Sequence, residues 1–472
     1  MMTKDDQSYN PSDKMVFRVP GIRRFKLPLV IPKTNAPFSS SLFLVYGFLG
    51  LIVIGAILLT LPISSNSGQF TSPLITLFTA TSAVSVTGLA VVDTGYYWST
   101  FGQVVLLVLI QIGGLGFISG ATVLLLVIGG RFGLREKRFI TESMGMEQLG
   151  GIVGVVIRVA ILSLIVEAIG AVIFYISWAY TSETPLWTAI FHAVSSFNNC
   201  GMDIFGEFKS LSGYQGDTTV LLTTAFLVIL GSTGYIIIAD LFNKRGIKGL
   251  SLETKVVLTA TFILLAVGTL FYFSAEYTNQ ATLGPFSLPQ KLLVSFFQSV
   301  SPRTAGFTVI DIGSLNQVTI LFTTILMFIG GSSGSAAGGL KIGTASVIGI
   351  TFFNAVRGRE KISVFGRQLG LHVVYRAISL FFAYLLVAGI IVLVLSVTER
   401  LPLDSIVFET FSALSTVGLT TGITPNLSAA GLSVITIAMF VGRLGPLVFM
   451  AHIAKYRQVA DIDYPHESIR LG

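Results

Sequence analysis

The chain has 472 residues, of which 52% are hydrophobic and only 11% charged, where ordinary soluble proteins carry about 25% charged residues. A soluble globule of this length cannot bury so much apolar surface, and disorder requires low hydrophobicity, so the remaining class is an integral membrane protein with many spans. A single cysteine, Cys200, excludes a disulfide scaffold, and the net charge of +7 reflects a one-sided placement of basic residues rather than a nucleic-acid partner.

The first predicted element is a polar tail, 1–40, which holds seven of the 30 Lys and Arg residues and has no apolar core of the kind a cleavable signal needs. Long apolar stretches then run at 42–62, 102–128, 152–180, 218–241, 256–276, 317–356, 372–397 and 430–452. Each is near or above the ~20 residues that cross the hydrocarbon core, so eight spans are expected. Between the members of each consecutive pair lies a shorter apolar segment, at 74–86, 186–198, 290–302 and 404–416. A helix of that length reaches only about 20 Å at 1.5 Å per residue, so these segments are expected to enter the bilayer and turn back. Non-helical backbone at that depth is tolerated only inside protein or beside water. A second tail, 455–472, ends the chain.

Other basic residues fill the connections Arg131 to Arg138, Lys244 to Lys255 and Arg357 to Arg367. Residues 63–101 contain none, and the remaining alternate connections hold only Lys209, Lys291, Arg303 and Arg400. The positive-inside rule therefore expects both termini and the basic connections in the cytoplasm, with Trp98, Trp178 and Trp187 near the outer face.

The four short segments share a pattern. Each places Phe and Ser four residues apart on one helical face: Phe78 and Ser82, Phe191 and Ser195, Phe297 and Ser301, Phe408 and Ser412. Each is followed by a glycine and a large apolar residue, Gly88-Leu89, Gly201-Met202, Gly306-Phe307 and Gly418-Leu419, with the glycines 113, 105 and 112 residues apart. The second long stretch of each unit has its own glycine interruption, beginning at Gly113, Gly231, Gly330 and Gly442. A unit of roughly 110 residues thus occurs four times. The reading is an all-α integral membrane protein of four helix, pore-loop, helix repeats, at 41–130, 150–243, 254–357 and 370–454, with pseudo-fourfold symmetry about one ion pore. Ordinary small-residue packing sites in an unrelated bundle are the competing explanation.

A half-helix that ends in mid-membrane points its unpaired carbonyls and the negative end of its dipole inward. Four around one axis favour a central cation, and extended glycine-containing loops with carbonyls turned to the axis can replace a monovalent ion's hydration shell. Backbone geometry is what matters there, which accounts for the varied residue before each glycine: Thr87, Cys200, Ala305 and Val417.

At these loops the chain resembles the Trk/Ktr/HKT superfamily of potassium uptake proteins. The matching stretches are Val86-Thr87-Gly88-Leu89, Asn198-Asn199-Cys200-Gly201, Pro302-Arg303-Thr304-Ala305-Gly306-Phe307 and Ser415-Thr416-Val417-Gly418-Leu419, followed by Gly442-Arg443-Leu444-Gly445-Pro446. With eight spans it is most similar to the membrane subunits of the Ktr branch. The resemblance implies potassium as substrate, sodium as an activator, a homodimer, and a cytosolic ring of nucleotide-binding (RCK-type) regulatory subunits in a bacterial plasma membrane. In the family a serine in place of the first filter glycine accompanies sodium permeation, so Gly88 implies potassium selectivity. The Cys-Gly-Met of the second loop, where Ala-Gly-Phe is more usual, and the long N-terminal tail depart from the pattern.

The stretch 317–356 is twice the length of a span and contains ten consecutive small residues, Gly330 to Gly339, including Gly331, Ser332, Ser333, Gly334, Ser335 and Gly338. Helix propensity that poor argues for a break, and a loop beneath the filter would plug the inner cavity. In the resembled family this segment, 330–341, is an intramembrane gating loop. A packing hinge is the alternative, while a phosphate-binding loop is disfavoured because Leu340 separates the last glycine from Lys341 and no soluble strand precedes it. Lys341 either snorkels or anchors the loop. Arg443 sits in the glycine interruption of the last stretch, and an arginine at membrane depth is expected to face a cavity, here opposite the loop as a barrier to cations.

His192, Gln298 and Glu409 are expected to satisfy hydrogen bonds behind the half-helices, Glu167 to be a buried acceptor and Asp240 to be solvated. None forms a metal-ligand or nucleophile–base spacing, so enzymatic activity is not expected. The rival function is a secondary transporter with broken helices and a closed midplane site. A membrane scaffold without transport leaves the repeated glycines unexplained.

Overall fold

A computed structural model describes residues 40–116, 152–180, 183–244, 246–359 and 361–445. The two tails, the connection from Arg131 to Arg138, Pro446 and the far ends of the stretches 102–128 and 430–452 lie outside these residues. The described chain is almost entirely helical. In order it forms α1 (Ser40–Thr60), α2 (Pro73–Ser85), α3 (Thr94–Tyr97) and α4 (Thr100–Leu115). Then come α5 (Ile152–Trp178), α6 (Pro185–Phe197), α7 (Thr218–Thr233) and α8 (Tyr235–Asn243). These are followed by α9 (Leu252–Glu276), α10 (Leu288–Val300), α11 (Gln317–Phe328) and α12 (Ile342–Val356). The series closes with α13 (Leu371–Thr398), α14 (Leu403–Leu414) and α15 (Ala429–Leu444). One hairpin, Ser363–Val364 with Arg367–Gln368, separates α12 from α13.

The four short helices, α2, α6, α10 and α14, contain 13, 13, 13 and 12 residues. Each starts at a proline: Pro73 and Pro185 open their helices, Pro289 follows one residue in, and Pro402 is the N-cap. Proline suits that position because its fixed φ is already helical and its missing N–H would have had no partner. In α10 Ser287 and Gln290 add a reciprocal capping box. The patterned Phe78, Phe191, Phe297 and Phe408 are all buried, as are the serines four residues later.

Among the described residues the long stretches fall into continuous helices and helices broken at the expected glycine interruptions. Gly154–Trp178, Leu252–Glu276 and Leu371–Thr398 are each long and apolar enough to cross a membrane, and Thr218–Thr233 with Tyr235–Phe242 makes a fourth such stretch, bent by 96°. The second long helix of each set stops early. α4, α7 and α15 each end after 16 residues, at Gly116, Gly234 and Gly445, whose φ of 82–84° and ψ of 137–138° are nearly the same. Such a backbone lies outside the helical region, so the glycine ends the helix instead of merely loosening it. α11 ends after 12 residues at Ile329, and the chain resumes as α12 only at Ile342.

Each short helix packs against the first long helix of its own set: α2 on α1, α6 on α5, α10 on α9 and α14 on α13. Each also packs against the second long helix of the set before it: α6 on α4, α10 on α7, α14 on α11, and α2 on α15. The packing therefore closes on itself. The outward faces of α5, α9 and α13 leave large apolar side chains uncovered, among them Leu164, Phe262 and Leu393 at 59%, 73% and 69% exposure. Continuous faces of that kind need hydrocarbon as their solvent.

Two buried carboxylates tie the long helices together near their ends. Glu276 accepts from Asn279 Nδ2 at 2.7 Å, Thr282 Oγ1 at 2.8 Å, the Asn316 N–H at 3.0 Å and Thr319 Oγ1. Glu399 does the same service in the last set, accepting from the Ser428 N–H at 3.1 Å and from its hydroxyl.

Candidate functional site

Each short helix runs into a loop of one repeated backbone form. The residue two before the glycine is left-handed in all four: Val86 (φ 57°), Asn199 (φ 57°), Thr304 (φ 69°) and Thr416 (φ 51°). Three of these are β-branched, for which this region costs on the order of 1–3 kcal/mol. The cost is offset by fixed hydrogen bonds from the next residue back into the helix. Thr87, Cys200 and Val417 donate their N–H to the carbonyls of Ser82, Ser195 and Ser412, each at 2.8 Å, and Ala305 to Ser301 at 2.9 Å.

The glycines follow, with φ of 93° at Gly88, 79° at Gly201, 77° at Gly306 and 92° at Gly418. Left-handed φ is one reason for glycine, and close approach is the second. A Cβ on Gly201 would stand 2.5 Å from the carbonyl oxygen of Ala305. On Gly88 it would collide with the Cys200 carbonyl, on Gly306 with that of Val417, and on Gly418 with that of Thr87. Each glycine thus abuts the carbonyl that precedes the next glycine, and the sequence of contacts runs 88, 201, 306, 418 and back to 88. Residues over 100 positions apart in the chain meet here through backbone alone.

The serines of the Phe–Ser pattern brace these loops from behind. Ser82 Oγ accepts from the Gly88 N–H at 3.1 Å and donates to the Leu89 carbonyl at 2.8 Å. Ser412 Oγ accepts from the Gly418 N–H at 3.1 Å. Ser195 donates to the Met202 carbonyl at 2.5 Å, and Ser301 to that of Phe307. The sequence pattern marks these residues but not the bonds they make.

A cavity of about 430 Å³ opens on one side of the four glycines, lined also by Asp93, Asp203, Asp311, Thr308, Thr420 and Lys209. Asp203 lies in the connection beyond α6, half-buried. Burial pushes its carboxyl up to about 6, and the nearby Asp93 charge adds to the rise, against bonds from the Phe205 N–H and Ser210. Asp93 and Asp311 each stand five residues after their loop's glycine, and Asp203 two after Gly201. They become neighbours only because the four loops converge.

On the other flank lies the small-residue segment between α11 and α12. It is pinned at its base, where the Gly330 N–H donates to the Leu340 carbonyl at 2.9 Å and the Ile342 N–H to that of Gly331 at 3.0 Å. It is pinned again to the end of α7: the Ser332 N–H donates to the Ser232 carbonyl at 2.9 Å, its hydroxyl to Thr233, and the Ala336 N–H to Gly231 at 3.2 Å. Ser335 Oγ donates to the Ser332 carbonyl at 2.7 Å. Ser333 and Gly334 are exposed at the tip, while Ala336 to Leu340 are buried. Gly338 and Gly339 pass so close to Thr416 and Ser415 of the fourth loop that a Cβ on Gly338 would strike the Thr416 hydroxyl.

Arg443 spans this segment. Its Nη1 donates to the Ala336 carbonyl and its Nη2 to the carbonyl of Gly113 at the end of α4. The guanidinium thereby joins the segment to the first set of helices. Lys341 Nζ donates to the Ala337 carbonyl at 2.5 Å, an anchor within the same segment. Behind the short helices, His192 Nε2 meets Thr224 Oγ1 at 3.0 Å and Glu409 accepts from Thr424. Glu167 accepts from Gln111 at 3.1 Å and from Asn198 at 3.0 Å, holding the start of the second loop. Asp240 accepts from the Ser251 N–H and Thr254, and pairs with Lys244 at 3.4 Å. Among the described residues no group of His, Cys, Asp and Glu could hold a metal ion.

A family model described as TrkH, cation transport protein, matches residues 35–458. Over 437 residues the sequence is 41% identical to the Ktr system potassium uptake protein B of Bacillus subtilis, covering 92% of this chain and 97% of that protein. It is 37% identical over 438 residues to the potassium/sodium uptake protein NtpJ of Enterococcus hirae, covering 90% and 96%. A Ktr system potassium uptake protein B of Vibrio alginolyticus is 35% identical over 429 residues, with 90% and 93% covered. Among solved structures, the potassium transporter TrkH from Vibrio parahaemolyticus superimposes with a TM-score of 0.71 over 89% of this chain and 86% of that one. At 20% identity that likeness speaks to the fold.

Proposed function

The chain belongs to the TrkH family of cation transport proteins, and from that premise we propose that it is the potassium-translocating membrane subunit of a Ktr-type uptake system. The observation that carries this reading is the closed sequence of glycine-on-carbonyl contacts linking Gly88, Gly201, Gly306 and Gly418. Four sets of helices, at 41–130, 150–243, 254–357 and 370–454, act as pseudo-symmetric quarters around one pore. The carbonyls of Thr87, Cys200, Ala305 and Val417, with their neighbours Val86, Asn199, Thr304 and Thr416, form a filter in which backbone oxygens replace the ion's water. The acid-lined cavity is the outer entrance. Negative charge there raises the local cation concentration before dehydration. Potassium then enters down its electrochemical gradient, at about 2.3 kcal/mol per charge per 100 mV of membrane potential.

The segment 330–341 and Arg443 form the closed gate on the cytoplasmic side. The loop blocks the path below the filter, and the guanidinium holds it while adding a positive barrier. Two copies assemble in the bacterial plasma membrane with both termini inside, and a cytosolic nucleotide-binding (RCK-type) ring acts on the basic inner connections. Any nucleotide belongs to that partner. Sodium, which appears with potassium in the name of the Enterococcus hirae relative, acts as an activator of uptake.

Uptake of rubidium and sodium by potassium-uptake-deficient cells tests this. Gly88→Ser is expected to admit sodium at the expense of rubidium, because its side chain enters the space of the Cys200 carbonyl. Unaltered selectivity in a well-assembled Gly88→Ser protein, or saturation at slow turnover with an organic solute, would favour a secondary transporter with a closed midplane site instead.

A further inference from the structure

We propose that Ser82 and Ser412 are positioning residues that set the direction of the ring carbonyls, and that the filter is aimed from behind through these two hydroxyls. The N–H of Gly88 and the carbonyl of Thr87 belong to the same planar trans amide, so they point in opposite directions. Ser82 Oγ holds that N–H at 3.1 Å on the side of the short helix. The Thr87 oxygen must then point the other way, and it does, lying against Gly418. The fourth loop repeats the arrangement: Ser412 holds the Gly418 N–H at 3.1 Å, and the Val417 oxygen lies against Gly306.

The same hydroxyl family acts on the far side of the glycine. Ser82, Ser195 and Ser301 donate to the carbonyls of Leu89, Met202 and Phe307, turning the oxygen after each glycine back toward its helix. Successive carbonyls would otherwise be free to alternate in direction, since glycine permits both senses of rotation. Loops one and four add the restraint on the ring amide itself. All four serines are buried, so water cannot substitute for a lost hydroxyl. These bonds are distinct from helix capping, in which the Ser82 and Ser412 carbonyls accept from the N–H groups of Thr87 and Val417.

This inference rests on the ring being the ion path, and the experiment separates the two. The full-length chain is reconstituted in liposomes, and the ratio of rubidium to sodium uptake is measured for wild type, Gly88→Ser, Ser82→Ala, Ser412→Ala and Thr81→Ala. Thr81 donates only to the Leu77 carbonyl within α2 and has no bond to the loop. The ratio is expected to fall on the order of tenfold in Ser412→Ala, the consequence of losing one hydrogen bond to a buried amide, and at least as far in Ser82→Ala, which also loses the bond to the Leu89 carbonyl, and to hold in Thr81→Ala. A wild-type ratio in Ser82→Ala and Ser412→Ala, alongside a changed ratio in Gly88→Ser, overturns the positioning role while leaving the ion path intact. No change in any variant, Gly88→Ser included, overturns both. Should an alanine variant fail to assemble, Ser82→Cys keeps the volume with a weaker donor and acceptor. An intermediate ratio then supports the proposal, and an unchanged one overturns it.

Discussion

Replacing Arg443 by glutamine removes a charged, two-pronged link whose worth follows from its contacts. The guanidinium donates to Ala336 in the segment between α11 and α12 and to Gly113 at the end of α4. A hydrogen bond from a charged donor contributes about 1.5–3 kcal/mol, so the pair holds the closed arrangement by roughly 3–6 kcal/mol relative to one in which the segment has swung away. Glutamine at the same place supplies one neutral amide that reaches one of the two carbonyls, worth about 0.5–1.5 kcal/mol. Taking about 1 kcal/mol for that retained bond, the closed state loses roughly 2–5 kcal/mol, and the open fraction rises on the order of 30- to 4,000-fold until opening is complete. Removing the positive charge from the ion's path acts in the same direction. Initial rubidium uptake by potassium-uptake-deficient cells, normalised to protein in the membrane, is the assay. Arg443→Gln should be faster than wild type. Arg443→Lys, which keeps the charge and loses the fork, should fall between them. Uptake by Arg443→Gln that is unchanged or slower, at equal protein level, refutes the latch.

Two further predictions concern groups outside the ring. With its carboxyl pushed up to about 6, Asp203 is charged at pH 7.5 and loses that charge as the pH falls through 6, so uptake from dilute potassium should decline over that interval. Asp203→Asn should begin lower and lose this step; an unchanged pH profile contradicts the role. Glu276→Ala leaves the donors of Asn279, Thr282, Asn316 and Thr319 without their shared acceptor and should cost about 2–4 kcal/mol of stability. Thermal unfolding in detergent should shift downward while the rubidium-to-sodium ratio of the surviving protein stays the same.

Much of this arrangement was legible in the residue order. The short helices lie within about two residues of the expected segments, Pro73–Ser85 against 74–86 and Pro185–Phe197 against 186–198, because prolines and segment length fix them locally. Arg443 announced itself as a charge in an apolar stretch. Its two partners did not, since the carbonyls of Gly113 and Ala336 have no signature in the sequence. The 96° bend after α7 was legible as a glycine interruption but not as an angle, because glycine permits many φ and ψ values and its presence does not name the one adopted. The serines appeared as a pattern without a purpose, for their partners are amides and carbonyls six or seven residues away. Asp93 and Asp311 share a five-residue spacing from their glycines, but their meeting with Asp203 had no signature, since loops from three different sets of helices bring the three together.

The most direct test is to locate the ion. Crystals or cryo-EM grids prepared in potassium, and separately in rubidium or thallium, should show monovalent-cation density among the carbonyl oxygens of Thr87, Cys200, Ala305 and Val417. Density that is absent there in potassium and present at some other position along the bundle would contradict the account.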